Sequence, residues 1–580
     1  MKSRQFAPAA RVLFIVIAAA GLFVIPARSA DTPRKPKLIV LVAFDQLRGD
    51  YPIRWHDCFG PDGFQRFERE GTWFTNCHYS YAGTQTGPGH ASLSTGALPN
   101  QHGIIANDWF DRAEGAMVHC TTLERYKNVY SFPLPPEPKK EAEKDKDTDE
   151  ESKPKEKRIT GAGSPERLIA PTIADSLKAA TGGKARVFAA SLKDRSAILF
   201  GGHKPDGCYW FSDRAGAFCT STFYRDRPAA WVTEFNKTRP ADRWFTQKWE
   251  RLRCDLDYGA LSGPDDVAAE GTGVAKKQGR VFPHPMDGGL KEPGREYYNT
   301  VYTSPFGNEL LLDFVIRAID EEQLGRHEVP DFLGVSFPSN DPIGHVYGPD
   351  SQEVFDVTLR SDLIIRDLLR ALDQRIGAGN YVIGISADHG VCPMPELSAA
   401  HGIEAKRLDP KSLVLDAPKH LNSVFGVTDE KAIWFEKEIF PWFYLNRKMI
   451  MARGLSEAAV ADALADWLRK QPWALAAYTR QQLNGTLPST DSLGRMMQAS
   501  YRPERSGDVA VVTKPHYLVY GTKTGTGHNS PHDYDTHVPL MVMGAGLKPG
   551  RTDERVTPQA IAAILCRAAG ISPPAGAMER

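Results

Sequence analysis

Four places in this 580-residue sequence carry side chains suited to gripping a cation. Asp341 and His345 stand four apart in Asp-Pro-Ile-Gly-His, a spacing that points both the same way from one helical turn. Asp388 and His389 are adjacent, and Asp45 directly follows the apolar run LIVLVAF. The segment from Gly527 to Leu540 brings His528, His532 and His537 within ten residues. Taken singly, each feature has an ordinary explanation: a capping aspartate, a surface histidine, a turn at a strand end. Together they offer three carboxylates and at least three imidazoles. Nitrogen and oxygen donors without thiolate suit zinc, ahead of manganese or iron. The set exceeds what one catalytic ion needs. It predicts two cations, which clamp the attacking and leaving oxygens of an in-line phosphoryl displacement.

The elements that must position these residues are legible as well. Leu38–Phe44, Arg186–Ser191, Phe332–Phe337 and Tyr381–Ser386 are continuous apolar runs, the pattern of strands buried on both faces. Each ends at a polar cluster: Asp45, Lys193-Asp194-Arg195, Asn340-Asp341 and Asp388-His389 respectively. Helical patterns lie between and beyond them, at Pro165–Ala180, Asn308–Gln323, Glu353–Ile376 and Ser456–Lys470. Such alternation predicts an α/β fold with a mostly parallel sheet, whose ligands bind beyond the carboxyl ends of the strands. Lys193 and Arg195, two apart at a strand end, project to one face and are placed to meet phosphate oxygens or to form a solvated charged turn with Asp194.

Composition narrows the reading. Seventy-one basic and 71 acidic side chains cancel to zero, which argues against a nucleic-acid partner held by a broad basic field. Residues 1–30 order a basic start, an apolar stretch and small residues near Ala27, Ser29 and Ala30, as a secretory signal peptide does. No later run is long and apolar enough to span a bilayer, so a periplasmic or secreted protein is expected. Eight cysteines in an oxidising compartment make disulfides plausible, with Cys208–Cys219 the first pairing to test. Residues 31–580 are read as the catalytic domain. Within it, residues 133–158 are too poor in apolar side chains to order. Residues from about 201 to 304, rich in aromatics, Gly and Pro, read as an irregular cap beside the site.

The segments FDQLRGDY, TQTGPGH, HGIIANDW, SLKDR, DPIGH, ADHG and HNSPHDYDTHVPL, in that order from about Lys37 to Gly546, resemble the alkaline phosphatase superfamily. The similarity is greatest to its phosphate-insensitive, broad-specificity bacterial branch with a threonine nucleophile. The resemblance implies a three-layer α/β/α sandwich with inserted cap segments. It also implies zinc-dependent hydrolysis of phosphate monoesters through a covalent phosphothreonine. One zinc would take Asp341, His345 and His528; the other would take Asp45, Asp388, His389 and the oxygen of Thr86. Thr86 matches the nucleophile, with Thr84 its competitor. Asn107, Lys193 and Arg195 match the residues that hold the non-bridging phosphate oxygens, and their extra positive charge favours a dianionic monoester over a diester. Relatives usually place Gly after the last ligand histidine, where this chain has Asn529, a residue that tolerates a left-handed backbone. His532 and His537 remain alternatives to His528. A nucleotide phosphodiesterase or phosphonate hydrolase on the same scaffold is the second reading, and an inactive metal-binding protein the third. A sulfatase is disfavoured, because no C/S-x-P-x-R segment is present.

Overall fold

The computed structural model describes residues 35–134, 157–273, 278–544 and 547–579. The expected signal peptide, residues 1–30, and residues 135–156 of the charged insertion 133–158 lie outside them. The principal sheet uses β1 (Leu38–Phe44), β2 (Gly71–Phe74), β3 (Asn128–Val129), β4 (Val187–Ser191), β5 (Gly207–Ser212), β6 (Ala217–Ser221), β7 (Asp331–Phe337) and β8 (Tyr381–Ser386). A smaller sheet contains β9 (Phe435–Ile439), β10 (Trp442–Leu445), β11 (Ala474–Thr479) and β12 (Val509–Thr513), after which β13 (Leu540–Met543) and β14 (Gly550–Thr552) return to the first. The ten strands of the principal sheet run in the order β14-β2-β13-β8-β1-β7-β4-β5-β6-β3.

Its central run, β8-β1-β7-β4-β5, is parallel throughout, whereas β13 and β6 enter antiparallel on either side. The apolar runs account for this. β1, β7 and β8 are buried along their whole lengths, and only strands covered on both faces sustain uninterrupted Val, Ile, Leu and Phe. In-register pairing sets Phe44 beside Phe337, so β1 and β7 end level and release Asp45 and the chain toward Asp341 at one edge.

One face of the sheet carries α1 (Thr86–Thr95), α2 (Ile173–Ala180), α3 (Asp194–Gly201) and α8 (Ala560–Ala568). The opposite face carries α4 (Pro305–Glu321), α5 (Asn340–Tyr347) and α6 (Gln352–Arg375), which completes the three layers. Local signals start these helices. Ser351 caps α6 by accepting from Val354 N–H, and Thr172 forms a capping box with Asp175 on α2. α1 stops at Gly96, whose φ of 72° is left-handed.

Two expectations are corrected. Residues 201–304 are not wholly a cap, because β5 and β6 extend the principal sheet, β5 pairing parallel to β4. Cys208 and Cys219 are both free, as are all eight cysteines. Strand pairing sets Cys219 opposite Trp210 rather than opposite Cys208. The sequence reading also passed over a second module. The sheet β9-β10-β12-β11 packs with α7 (Glu457–Arg469) around its own core, including Trp434, Phe443, Leu464, Leu468 and Val511.

His102 ties α1 to the loop beyond it. Its Nδ1 accepts from Ile104 N–H (3.1 Å) and its Nε2 faces Ser92 Oγ at 3.1 Å. Burial, with help from Arg505, lowers its pKa to about 3, so the folded protein keeps the ring neutral while the unfolded chain protonates near 6.5. The unfolded state then binds more protons, and the His102 contribution is lost as pH falls from 6.5 toward 3. Thermal melts should therefore show a midpoint that drops between pH 7 and pH 4, with a shallower drop in His102→Gln. Equal slopes in the two proteins would remove His102 from the account.

Candidate active site

Each central strand delivers a polar group to the same edge of the sheet. Asp45 follows β1, Lys193 follows β4, Asp341 lies in the first turn of α5 after β7, and Asp388-His389 follow β8. The sheet's register thus gathers residues separated by up to several hundred positions. Two glycines permit the close approach. A Cβ at Gly89 would collide with the Asp388 backbone, so α1 seats against the site only because this position lacks a side chain, while one at Gly344 would displace the end of the Gln46 side chain.

Asp45 and Asp388 are fully buried and Asp341 nearly so, at 0%, 0% and 6% exposure. Lys193 Nζ bridges two of these carboxylates, at 2.6 Å from Asp45 Oδ2 and 2.7 Å from Asp341 Oδ2. Asp388 Oδ1 is held by the N–H groups of Gln46 (3.0 Å) and His389 (3.1 Å). Asp45 Oδ1, Asp388 Oδ2 and His389 Nε2 are buried without a hydrogen-bond partner. Burial, reinforced by Asp388, pushes the Asp45 carboxyl well above the usual carboxylate range. Burial also acts to raise Asp341, but Lys193 and His345 outweigh it and hold that group well below the range.

The three candidate imidazoles share one device. His345 Nδ1–H donates to Thr526 O (2.7 Å), His389 Nδ1–H to Gly390 O (2.9 Å), and His528 Nδ1–H to Thr84 O (2.6 Å). A carbonyl only accepts, so each Nδ1 carries a proton and Nε2 is the nitrogen left to face the carboxylates; beside Asp341, His345 is held above its ordinary pKa despite burial. Those Nε2 atoms converge on the carboxylates. His345 lies 3.1 Å and His528 3.7 Å from Asp341 Oδ1, while His389 lies 3.5 Å from Asp45 Oδ1. Burial, with His389 and His345 nearby, drives His528 well below its ordinary pKa and keeps it neutral. The rings of His389 and His528 stack at 3.6 Å between centroids. His532 and His537 are turned elsewhere, each donating Nε2–H to a backbone carbonyl, of Thr513 and Thr75 respectively, at 2.9 Å.

Among the described residues, two groups of potential ligand atoms lie within 4.8 Å of one another: Asp341, His389 and His528, and Asp45, His90 and Asp388. His389 Nε2 faces both groups, because it also lies 3.5 Å from Asp45 Oδ1 and 3.4 Å from Asp388 Oδ2. His90 is committed elsewhere: its Nδ1–H donates to Thr86 O (2.8 Å) and its Nε2 is left to Ser336 Oγ (2.7 Å), with no lone pair to spare. Its place is structural, fixing the first turn of α1 beside Asp388, whose Oδ2 is 3.2 Å away.

Thr86 opens α1, is 1% exposed, and its Oγ1 lies 3.3 Å from Arg195 Nη2. Asn107 Oδ1 accepts from Gly87 N–H at 2.7 Å, which places that amide beside the same turn. Thr84 is engaged otherwise, because its hydroxyl donates to Ser530 O and accepts from Ser530 N–H, both at 3.0 Å. Asn529 adopts φ of 95°, so the turn after His528 keeps the left-handed form without Gly. A cavity of about 480 Å³, lined in part by Trp210, Phe211, Tyr298 and Tyr302, adjoins Lys193.

Two contributors went unread in the sequence. Gln46 holds a left-handed φ of 65° and reaches two of the aspartates, its Nε2 donating to Asp341 Oδ1 at 2.7 Å and its N–H to Asp388 Oδ1. His90 is the other, visible beforehand only as the last letter of TQTGPGH.

Parallel strands that deliver carboxylates and imidazoles to one edge, beside a buried hydroxyl at a helix start, define the architecture of the alkaline phosphatase superfamily. The family of type I phosphodiesterases and nucleotide pyrophosphatases matches residues 39–538, and the chain belongs to that family. Among its relatives is the alkaline phosphatase PafA of Elizabethkingia meningoseptica, 32% identical over 562 residues, covering 96% of this chain and 95% of that one. The alkaline phosphatase PhoV of Synechococcus elongatus is 32% identical over 564 residues, covering 96% and 94%. The crystal structure of wild-type PafA superposes with a TM-score of 0.82 at 31% identity, covering 94% of this chain and 98% of PafA.

Proposed function

We propose that this protein is a zinc-dependent phosphatase that hydrolyses phosphate monoesters through a phosphothreonine at Thr86. The observation that carries the reading is the convergence of unsatisfied donors. Of the three buried carboxylates, Asp45 and Asp341 share Lys193 as the one lysine hydrogen-bonded to them, and Asp45 Oδ1, Asp388 Oδ2 and His389 Nε2 have no hydrogen-bond partner, an arrangement that bound cations would compensate. Asp45, Asp341, Asp388, His345, His389 and His528 fit two zinc ions in donor type, number and protonation. When bound, zinc would lower the pKa of a coordinated hydroxyl and neutralise charge developing on the phosphoryl oxygens. Kinship with PafA and PhoV supports phosphatase chemistry.

The chain's own residues supply the rest. Thr86 stands at the positive end of α1, where the helix dipole favours an oxyanion. Its oxygen attacks phosphorus, the P–O bond to the leaving group breaks, and the leaving oxygen takes up a proton. Water then cleaves the phosphothreonine, releasing inorganic phosphate and restoring the hydroxyl. Arg195, beside Thr86 Oγ1, grips non-bridging oxygens, with Asn107 at the same turn. Lys193 is free to turn to phosphate only when Asp45 and Asp341 hold other positive charge, which makes its role depend on metal loading. The cavity beyond Lys193 leaves room for the ester's alcohol. The apolar start of the chain supports export, and no helix among the described residues is long and apolar enough to cross a membrane.

The test is turnover of matched aryl monoesters and diesters by the pure protein. Monoester hydrolysis should dominate. Lys193→Ala and Arg195→Ala should each lower it by about 10²–10³-fold, the cost typical of removing one donor to transition-state charge. Diester hydrolysis, with one fewer charge to hold, should fall less. Equal losses on both substrates would end the monoester argument and favour a phosphodiesterase.

A further inference from the structure

Thr84, the hydroxyl that is not proposed to attack, occupies an unusual position. It lies in the loop leading to Thr86, is fully buried, and touches the segment carrying His528 three times. Its carbonyl accepts His528 Nδ1–H at 2.6 Å, and its hydroxyl exchanges two hydrogen bonds of 3.0 Å with the Ser530 backbone. Ser530 is gripped from the other side as well, because Asp535 Oδ2 accepts its N–H at 2.9 Å and its Oγ–H at 2.6 Å. Asp535 is 1% exposed and lies in the same turn system. The segment continues inward: Thr526 O receives His345 Nδ1–H, and Thr526 N–H donates to His345 O at 2.8 Å.

The Thr84 loop is itself held on its far side. Ser500 Oγ accepts the N–H groups of Ala82 (3.0 Å) and Gly83 (2.9 Å), and Gln85 Oε1 accepts Asn107 N–H at 2.7 Å. A chain of hydrogen bonds therefore runs from Ser500 through the Ala82–Thr84 loop to Ser530 and Asp535, with His528 hung on the Thr84 carbonyl.

We propose that Thr84 is a positioning residue for metal retention: its hydroxyl clamps the Ser530 turn so that His528 keeps Nε2 directed at Asp341. The inference rests on the zinc phosphatase reading above. Partners that orient a ligand histidine typically account for about 10–100-fold in metal affinity. Thr84→Val keeps the shape and the carbonyl but deletes both hydroxyl bonds, whereas Thr84→Ser keeps them.

The experiment is zinc titration of the stripped full-length protein, followed by metal binding against a competing chelator, by the thermal midpoint and by activity. Thr84→Val should need about 10–100-fold more zinc for half-saturation, regain near wild-type turnover when saturated, and be corrected by Thr84→Ser. Asp535→Asn, acting on the same turn from the other side, should shift the titration likewise. The double variant should fall short of the product of the two effects, because both hold Ser530. If Thr84→Val does not fold, Thr84→Ala deletes the same two hydroxyl bonds from a smaller side chain and reads the same clamp. A Thr84→Val protein that titrates like wild type overturns the inference and leaves the proposed function standing. So does one whose lost turnover excess zinc does not restore, since Thr84 would then act on Thr86 instead. Failure of wild type to take up zinc overturns the proposed function itself.

Discussion

Thr86→Ala should reduce turnover of an aryl phosphate monoester by about 10⁴–10⁶-fold, the range seen when a covalent nucleophile is deleted. Two hydroxyls of the same segment are engaged elsewhere. Thr84 is spent on Ser530, and Ser92 faces the His102 ring. Thr86→Ser should retain much of the rate, because an oxygen remains at the start of α1 within reach of Arg195. Acid quenching of wild type during turnover of a ³²P-labelled monoester should leave label on the protein, mapped to the peptide containing Thr86, and Thr86→Ala should take up none. Label on Thr84, or full activity in Thr86→Ala, would sink the assignment of the nucleophile. A rate lost without any labelled intermediate in wild type would point to direct attack by water.

Metal removal should have an effect of comparable size. Exhaustive chelation is expected to bring monoester turnover to background, and zinc should restore it. The folded protein should report the loss independently. Lys193 bridges Asp45 and Asp341 while Asp388 Oδ2 has no hydrogen-bond partner, and removing compensating charge from buried carboxylates is costly. A ligand bound only by the native state stabilises it by roughly 4 kcal/mol at a thousand times its dissociation constant. The thermal midpoint should therefore drop on stripping and recover as zinc is returned. Asp388→Asn, which keeps the shape but deletes the charge on the unpartnered Oδ2, should weaken that recovery. Turnover unchanged after verified zinc removal would defeat the metal-dependent mechanism outright.

Much of the frame was open to reading because it depends on local pattern. Leu38–Phe44 and Tyr381–Ser386 emerge as strands with the predicted limits, since an unbroken apolar run of that length has one economical home, the middle of a covered sheet. Glu353–Ile376 was legible from its helical pattern, and the structure gives Gln352–Arg375 with Ser351 as its cap. Other parts were hidden because their signals are not local. β5 and β6 looked like irregular cap, as their role depends on pairing beside β4. The second module escaped notice because β9 to β12 are short and form a sheet only when Phe443 and Val509, far apart in sequence, come together. Cys208 and Cys219 seemed a natural pair by spacing, yet strand register sets Cys219 against Trp210.

The chemical inventory was written in the primary sequence: carboxylates and imidazoles at strand ends, a threonine in a Gly-rich turn, a Lys and an Arg two apart. Residue type and strand-end location are properties of short segments, so they survive without coordinates. What only the tertiary structure decided was allegiance. It set Thr84 against Ser530 and Thr86 against Arg195, turned His532 and His537 to backbone carbonyls, and aimed His528 at Asp341. Those choices turn on which carbonyl meets each Nδ1 and which donor meets each hydroxyl. Such partners are brought together by sheet register and loop packing across hundreds of residues, where no local spacing records them.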